Sequence, residues 1–151
     1  MQKRPNPAQA SPDAYKALSG VQNYVNTCGI EVTTLELVKL RASQINGCAF
    51  CIAMHTAEAR KLGETDERMH LLNAWQEAGV FTEREKAAIA WTEALTLIAD
   101  GGVPDELYAE ARAQFSEKEL ADLSYAVVTI NAWNRLMVAF NVPPRLAKPA
   151  H

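Results

Sequence analysis

The hydrophobic and polar positions of this chain are arranged for helices rather than for strands. No stretch alternates apolar and polar residues with an enrichment in β-branched types, so no strand is predicted. Instead, apolar clusters are separated at short intervals by residues that begin or end helices. The pattern therefore predicts an all-α protein.

These boundary residues divide the chain into seven predicted helices. Pro opens a helix after Ser, Thr or Ser three positions before Glu forms a capping box, and Gly ends a helix. The helices are 13–28, opened by Ser11-Pro12; 33–46, opened by Thr33-x-x-Glu36; about 48–62; 65–79, capped by Thr65; one opened by Thr82-x-x-Glu85; a short one from Pro104; and about 117–140, opened by Ser116-x-x-Glu119. We expect a single domain over 1–151: a compact bundle of about six to seven helices, with extended tails at 1–11 and 142–151.

The last predicted helix is apolar around much of its circumference. Its apolar residues include Leu120, Leu123, Tyr125, Val127, Ile130, Trp133, Met137 and Val138. A helix with one buried stripe needs fewer, so this helix is either central or shared with a second subunit. We therefore expect a homo-oligomer.

Composition and charge argue against several classes of function and location. A net charge of -3 argues against nucleic-acid binding, which needs a surplus of clustered Lys and Arg. No apolar run reaches the roughly 18 residues of a membrane span, and no apolar segment follows the basic N-terminus as in a secretory signal. The expected location is the cytoplasm, where a C-x-x-C pair indicates catalysis or metal binding rather than a structural disulfide.

The cysteine pair and one histidine share a helix face. On a helix that turns about 100° per residue, Cys51 lies near 300° and His55 near 340° from Cys48. Both cysteines fall in the first turn after Asn46-Gly47, where free N–H groups and the helix dipole favour a thiolate. His55 is four residues from Cys51 and can reach its sulfur directly or through a water. Cys51 is thus the thiol that His55 assists.

Glu36 joins this group if the second and third helices form an antiparallel pair around the Asn46-Gly47 turn. Glu36 and His55 then lie roughly 15 Å and 12 Å from the turn, at the same level of the pair. A carboxylate facing an imidazole fixes its tautomer and raises its basicity. The alternative is that Glu36 only completes the capping box of Thr33.

A C-x-x-C pair can also serve in three other kinds of site. Covalent haem attachment requires C-x-x-C-H, and residue 52 is Ile. A thioredoxin-like site belongs in a βαβ unit, which an all-helical chain lacks. Zinc is the serious rival, with Glu36, Cys48, Cys51 and His55 as ligands. Structural zinc sites, however, usually draw their ligands from two separated pairs. No cofactor and no metal are therefore expected.

The remaining reactive residue types have simpler interpretations. His70 has no other reactive side chain near it in the sequence and is expected to be structural, while the terminal His151 is uninformative. Cys28, next to Gly29, reads as a small buried hydrophobe. The tryptophans Trp75, Trp91 and Trp133 are expected in the core or an interface.

The spacing Glu36-x11-Cys48-x2-Cys51-x3-His55 resembles the signature of the AhpD-like alkylhydroperoxidases of the carboxymuconolactone decarboxylase superfamily. The flanking segments LVKLRASQINGCAFCIAMHTAEARKLGE and LSYAVVTINAWNRLMVAF are similar too. The resemblance implies an all-helical trimer or hexamer. It also implies peroxide reduction through a Cys48–Cys51 disulfide, a Glu36–His55 proton relay, and a thiol or lipoyl-bearing electron donor. Phe50 stands where some relatives carry a second histidine.

We therefore expect a thiol-dependent peroxidase that reduces hydroperoxides with Glu36, Cys48, Cys51 and His55 as its catalytic residues. Two alternatives remain open. One is a redox-sensing or disulfide-exchange binding protein with low turnover. The other is a non-redox lyase like the decarboxylases of the same superfamily, which would keep its activity after thiol alkylation.

Overall fold

Nine α-helical segments follow one another in the computed structural model, which describes residue 2 and residues 4–146. They are α1 (Pro7–Ala10), α2 (Pro12–Val25), α3 (Val32–Ile45), α4 (Ala49–Lys61), α5 (Asp66–Leu71), α6 (Trp75–Ala78), α7 (Glu83–Thr96), α8 (Asp105–Gln114) and α9 (Glu117–Ala139). Short 3₁₀ turns occupy Leu72–Ala74 and Ile98–Asp100, and the described residues contain no strand. The predicted all-α fold is confirmed, with α1 and α6 as single turns beside the seven longer helices.

Most predicted helix starts are formed as expected. Thr82 and Ser116 each make a complete capping box, with the N3 glutamate side chain returning to the cap N–H. Thr65 caps α5 by accepting a hydrogen bond from the N–H of Arg68. These side chains satisfy backbone donors that the first helical turn would otherwise leave free.

The predicted capping box at Thr33 is wrong. Helix α3 begins one residue earlier, at Val32, and its N-cap Glu31 makes no side-chain cap bond. Thr33 thus lies inside the first turn. The carboxylate of Glu36 bonds to side chains of Lys39 and His55 instead of reaching back to the backbone.

The fourth predicted helix is broken into α5, a 3₁₀ turn and α6. Side chains three residues apart eclipse each other in a 3₁₀ helix. The turn thereby brings both Leu72, which is fully buried, and Trp75 to the same apolar cluster. Trp75 also donates its indole N–H to Glu93 of α7 at 3.0 Å.

The two ends of the chain differ from one another. The predicted extended tail at 1–11 contains one helical turn, α1, because Asn6 accepts the N–H of Ala8 and Pro7 occupies the first position. Residues 142–146 are not helical. Residues 147–151 of the other predicted tail, including His151, lie outside the described part of the chain.

Helix α3 is the centre of the bundle. It packs against α4, α7 and α9, and every residue from Thr34 to Leu40 is buried. Its apolar side chains enter two separate core clusters, one with α7, α8 and α9 and the other with α4, α5 and α7. Any polar side chain on α3 between 34 and 40 is consequently held in the interior.

Helix α9 packs against α2, α3, α4, α7 and α8 and keeps its outer face exposed. Its inner face carries Leu123, Val127 and Ile130 in the core, while Tyr125 and Val128 on its outer face are about 60% exposed (58% and 60%). The expectation of a central helix is thus met by its inner face only, and its sharing with a second subunit stays a prediction. No helix in the described residues is both long and apolar enough to cross a membrane.

Candidate active site

The two cysteines lie where α3 turns into α4. Gly47 has a φ of +65°, a left-handed conformation that suits glycine and reverses the chain direction. Cys48 follows as the N-cap of α4, and its sulfur accepts the N–H of Cys51 at 3.3 Å. Cys48 and Cys51 form a disulfide with their Cα atoms 5.3 Å apart. The structure therefore represents the oxidised dithiol.

Buried amides fasten this turn to α9. Asn46 donates to the side-chain oxygens of Asn131 and Asn134, both at 2.9 Å. Asn134 in turn donates to the hydroxyl of Ser43, whose backbone carbonyl receives the N–H of Cys48 at 3.0 Å. A closed set of hydrogen bonds thus fixes the backbone immediately before the first cysteine.

Glu36 and His55 face each other across α3 and α4, as the antiparallel pair predicts. Oε2 of Glu36 lies 2.8 Å from Nδ1 of His55, and the two residues are 6% and 7% exposed. A hydrogen bond at Nδ1 directs the other ring nitrogen, Nε2, away from the carboxylate. Among the described residues no hydrogen bond joins His55 to the sulfur of Cys51, so the direct contact considered above is not formed in the disulfide state.

Lys39 completes this group, and the sequence did not single it out. Its ammonium lies 2.8 Å from Oε1 of Glu36, the oxygen that His55 leaves free, and only 6% of the residue is exposed. The available signal was its position three residues after Glu36, where helical side chains are neighbours. Lysine is almost never this buried unless it is paired, so its burial could not be predicted without the packing around α3.

The charges around Glu36 favour its ionised form. Burial alone would raise the pKa of this carboxyl group. The hydrogen bond and charge of His55, together with those of Lys39, outweigh that effect and hold the pKa of Glu36 below its ordinary value of 4.5. Glu36 is thus a carboxylate with both oxygens engaged.

A cavity of about 670 Å³ opens over the site between α2, α3, α4 and α9. Cys51, Glu36, Lys39 and His55 all line it. Its apolar wall comprises Val32, Leu35, Phe50, Met54, Leu62, Trp133 and Met137. Helix α2 and its C-cap add Tyr15, Ser19, Gln22, Asn23 and Asn26. A ligand in this cavity would therefore contact Cys51 and the charged group together.

The two sulfur atoms are placed differently with respect to the cavity. Cys48 packs in a cluster with Met137 and Val142 and is not part of the cavity wall. Cys51 belongs to the same cluster but also lines the cavity. Cys51 is consequently the sulfur that a ligand in the cavity can approach.

Other reactive side chains lie away from this cavity. Cys28 is a free, partly buried thiol that packs against the core cluster containing Val25 and Trp91, and His70 is exposed on α5. Within residue 2 and residues 4–146, no three His, Cys, Asp or Glu side chains are placed to hold a metal ion. The tryptophans are partly buried or buried, and each donates its indole N–H to a side chain.

Comparison with known proteins identifies the family. The model of the carboxymuconolactone decarboxylase family matches residues 12–94. The uncharacterised protein YdfG of Bacillus subtilis is 42% identical over 139 residues, which cover 92% of this chain and 95% of YdfG. Alkyl hydroperoxide reductase AhpD of Hyphomonas neptunium is 43% identical over 47 residues, which cover 31% of this chain and 26% of AhpD.

Solved structures agree with this assignment. The crystal structure of ATU0492 from Agrobacterium tumefaciens, described as a protein of unknown function and a candidate AhpD antioxidant defence protein, superposes with a TM-score of 0.93 at 42% identity. The superposition covers 97% of this chain and 100% of that one. A peroxidase-related protein of Ralstonia eutropha, described as an AhpD core, shares the fold at a TM-score of 0.80 and 15% identity, over 91% and 74% of the two chains. This all-helical chain belongs to the carboxymuconolactone decarboxylase family and has the AhpD-like fold.

Proposed function

We propose that this protein is a thiol-dependent peroxidase that reduces hydroperoxides through a Cys48–Cys51 dithiol–disulfide cycle, with Glu36 and His55 as its proton relay. The observation that carries the proposal is the position of Cys51. It lines a large, mostly apolar cavity together with a buried, hydrogen-bonded Glu36–His55 pair. The partial likeness to AhpD of Hyphomonas neptunium, an alkyl hydroperoxide reductase, supports the same reaction class.

The first half of the cycle uses Cys51. Its thiol passes a proton to His55, directly or through a water, and the thiolate attacks the terminal oxygen of the hydroperoxide. The O–O bond breaks, the alkoxide leaves and takes a proton from the imidazolium, and Cys51 becomes a sulfenic acid. The products of this step are one alcohol and one oxidised sulfur.

The second half uses Cys48. Its thiolate attacks the sulfur of the sulfenic acid, hydroxide leaves with the proton released by the Cys48 thiol as water, and the disulfide forms. The two thiols have then supplied two electrons, one hydroperoxide has become an alcohol and water, and an external dithiol must return two electrons and two protons.

The electron donor must reach a buried disulfide. Cys48 and Cys51 are both 1% exposed, so a donor has to pass through the cavity to contact Cys51. A small thiol or a lipoyl group on a flexible arm meets this requirement. A reducing compartment such as the cytoplasm, which is our proposed location, supplies donors of this kind.

The test is a thiol titration of the reduced protein before and after one equivalent of an organic hydroperoxide. We expect the loss of two thiols per chain, with Cys48 and Cys51 linked in peptide mass maps and Cys28 still free. Turnover with a dithiol donor should disappear in Cys51→Ser and in Cys48→Ser. Cys28→Ser, which alters only the thiol outside the C-x-x-C pair, is the matched control and should retain full turnover.

The alternatives give different results in the same experiment. Full turnover in Cys51→Ser with a dithiol donor contradicts the proposed cycle. Stoichiometric oxidation without turnover indicates a redox-sensing protein. Retention of both thiols after hydroperoxide addition removes the peroxidase proposal and leaves the non-redox lyase.

A further inference from the structure

Lys39 is a buried charge that takes no part in the steps of the proposed peroxide reduction. It lies one helical turn after Glu36 on the central helix, 6% exposed, and its ammonium bonds to Oε1 of Glu36 at 2.8 Å. Glu36 is its only ion-pair partner among the described residues. Among the described residues, the hydrogen-bonded ion pair of this charged group is therefore with the carboxylate that faces His55.

A contribution to folding does not account for this lysine. Removing a charged pair from water is costly, and replacing such a pair with apolar residues of similar size is often neutral or stabilising. The neighbours of Lys39 on the same face of α3 include Leu35 and Ala42, both buried and apolar, so an apolar side chain is compatible with this position. What the ammonium provides is a positive charge and a fixed donor at the cavity wall.

We propose that Lys39 is a positioning residue of the dithiol site, whose ammonium group holds Oε1 of Glu36 so that Oε2 faces His55 and whose charge favours the thiolate of Cys51. The inference rests on the proposed function for its role in turnover. Its effect on the thiol itself can be measured without any peroxide.

The electrostatic part follows from charge alone. With Lys39 present, its charge offsets that of Glu36, so a protonated His55 leaves a net positive charge beside the thiolate of Cys51. Without the ammonium, this group loses one unit of positive charge, and the thiolate loses the stabilisation that the charge provides. The thiolate of Cys51 then forms only at higher pH.

The other charged and titratable groups around the cavity are few. From α4 come Cys51, His55, Glu58 and Lys61, from α2 comes Tyr15, and the C-terminal segment adds Arg145. Helix α9 contributes only uncharged side chains to the wall. Glu58 and Lys61 pair with each other at 2.7 Å with about half or more of each side chain exposed (48% and 68%), so solvent screens their effect on Cys51.

The experiment follows the pH dependence of alkylation of Cys51 in the fully reduced protein, with iodoacetamide as the probe and peptide mass mapping to separate the three cysteines. In Lys39→Met we expect the midpoint of Cys51 reactivity to rise by about one pH unit. That shift corresponds to a roughly tenfold lower rate on the acid side of the profile. Lys39→Arg keeps the charge and should return the midpoint to within about 0.3 units of the wild-type value.

Lys61→Met is the matched control, because it removes one lysine from the same cavity at its solvent-exposed mouth. Its midpoint should move by less than about 0.3 units. An unchanged midpoint in Lys39→Met, or an equal shift in Lys39→Met and Lys61→Met, would overturn the proposal.

Peroxide turnover separates this inference from the proposed function. If the wild-type protein alkylates with the expected profile but reduces no hydroperoxide, the peroxidase proposal fails and the role of Lys39 stands. If it turns over and the Lys39→Met midpoint is unchanged, the peroxidase proposal stands and the role of Lys39 fails. Helical circular dichroism of each variant verifies that the fold is retained.

Discussion

At the scale of single residues, helical periodicity is enough to find most of the candidate site. Cys51 and His55 lie on α4 and both line the cavity, as their spacing predicts, whereas Cys48 is the N-cap of α4 and does not line it. The position of Glu36 was predicted from a further argument, that Glu36 and His55 lie at the same level of an antiparallel helix pair. The 2.8 Å distance between Oε2 of Glu36 and Nδ1 of His55 confirms that the two side chains meet. Lys39 could not be found in this way, because its burial depends on the three helices that surround α3.

Glu36→Gln tests the relay at this scale. The amide keeps the size of the side chain but removes the charge that faces His55 in the proposed relay, and it leaves Lys39 buried without a counter-ion. General acid–base groups typically contribute at least about 100-fold to a rate, so kcat/KM for hydroperoxide should fall by about that factor. Steady-state kinetics with excess dithiol donor gives the measurement. A variant with wild-type kcat/KM shows that the relay is not needed.

At the scale of helices, capping signals predicted the correct starts where the N3 glutamate keeps one oxygen for the cap N–H. Glu85 and Glu119 do so, and their other oxygens pair with Arg68 and Arg84. Thr33-x-x-Glu36 has the same pattern, but Lys39 and His55 engage both oxygens of its glutamate, and the helix begins earlier. Apolar content in the sequence did not predict which helix is the more buried. Helix α9 is the more apolar, whereas α3, whose Glu36 and Lys39 are buried as an ion pair, has the larger buried fraction.

The start of α9 gives a pH-dependent prediction. Glu119 accepts the backbone N–H of Ser116 and a hydrogen bond from Arg84, which together lower the pKa of its carboxyl group to about 2. A pKa lowered by folding adds stability above the ordinary value of 4.5, and this stability is lost as the pH falls through about 2. Glu119→Gln should therefore lower the urea midpoint at pH 7, and the difference from wild type should shrink steadily below about pH 4.5.

Urea titrations at pH 7, 5 and 3 measure this effect. Glu117→Gln is the control, since the side chain of Glu117 is 89% exposed and lies 3.7 Å from Arg112. It should leave the urea midpoint nearly unchanged at each pH. A Glu119→Gln deficit that stays constant between pH 7 and pH 3 would mean that the charge of Glu119 contributes no stability.

At the scale of the whole molecule, an apolar patch on α2 and α9 supports the predicted homo-oligomer. Val21, Tyr24, Tyr125 and Val128 are each between 38% and 60% exposed on these two neighbouring helices. Exposed apolar patches of this kind are typical of protein interfaces. A trimer or hexamer is the assembly implied by the resemblance to AhpD-like proteins.

Val128→Glu tests that assembly. A carboxylate buried in an apolar interface without a partner is strongly unfavourable, so the variant should sediment with the mass of a single chain, while the wild type sediments as an oligomer. Ile98→Glu is the matched control, because Ile98 is 57% exposed on a 3₁₀ turn outside the patch. Sedimentation velocity compares the three proteins. An unchanged oligomer mass in Val128→Glu places the interface elsewhere.

The burial of Glu36 and Lys39 on α3 has a consequence for which substitutions selection would favour at these two positions. The two positions lie among leucines and valine in the interior, where apolar side chains are generally at least as stabilising as a charged pair. Selection for folding alone would therefore replace them, while selection for the proposed chemistry would keep a less stable core. The proposed function thus places a trade-off between stability and activity in a single turn of α3.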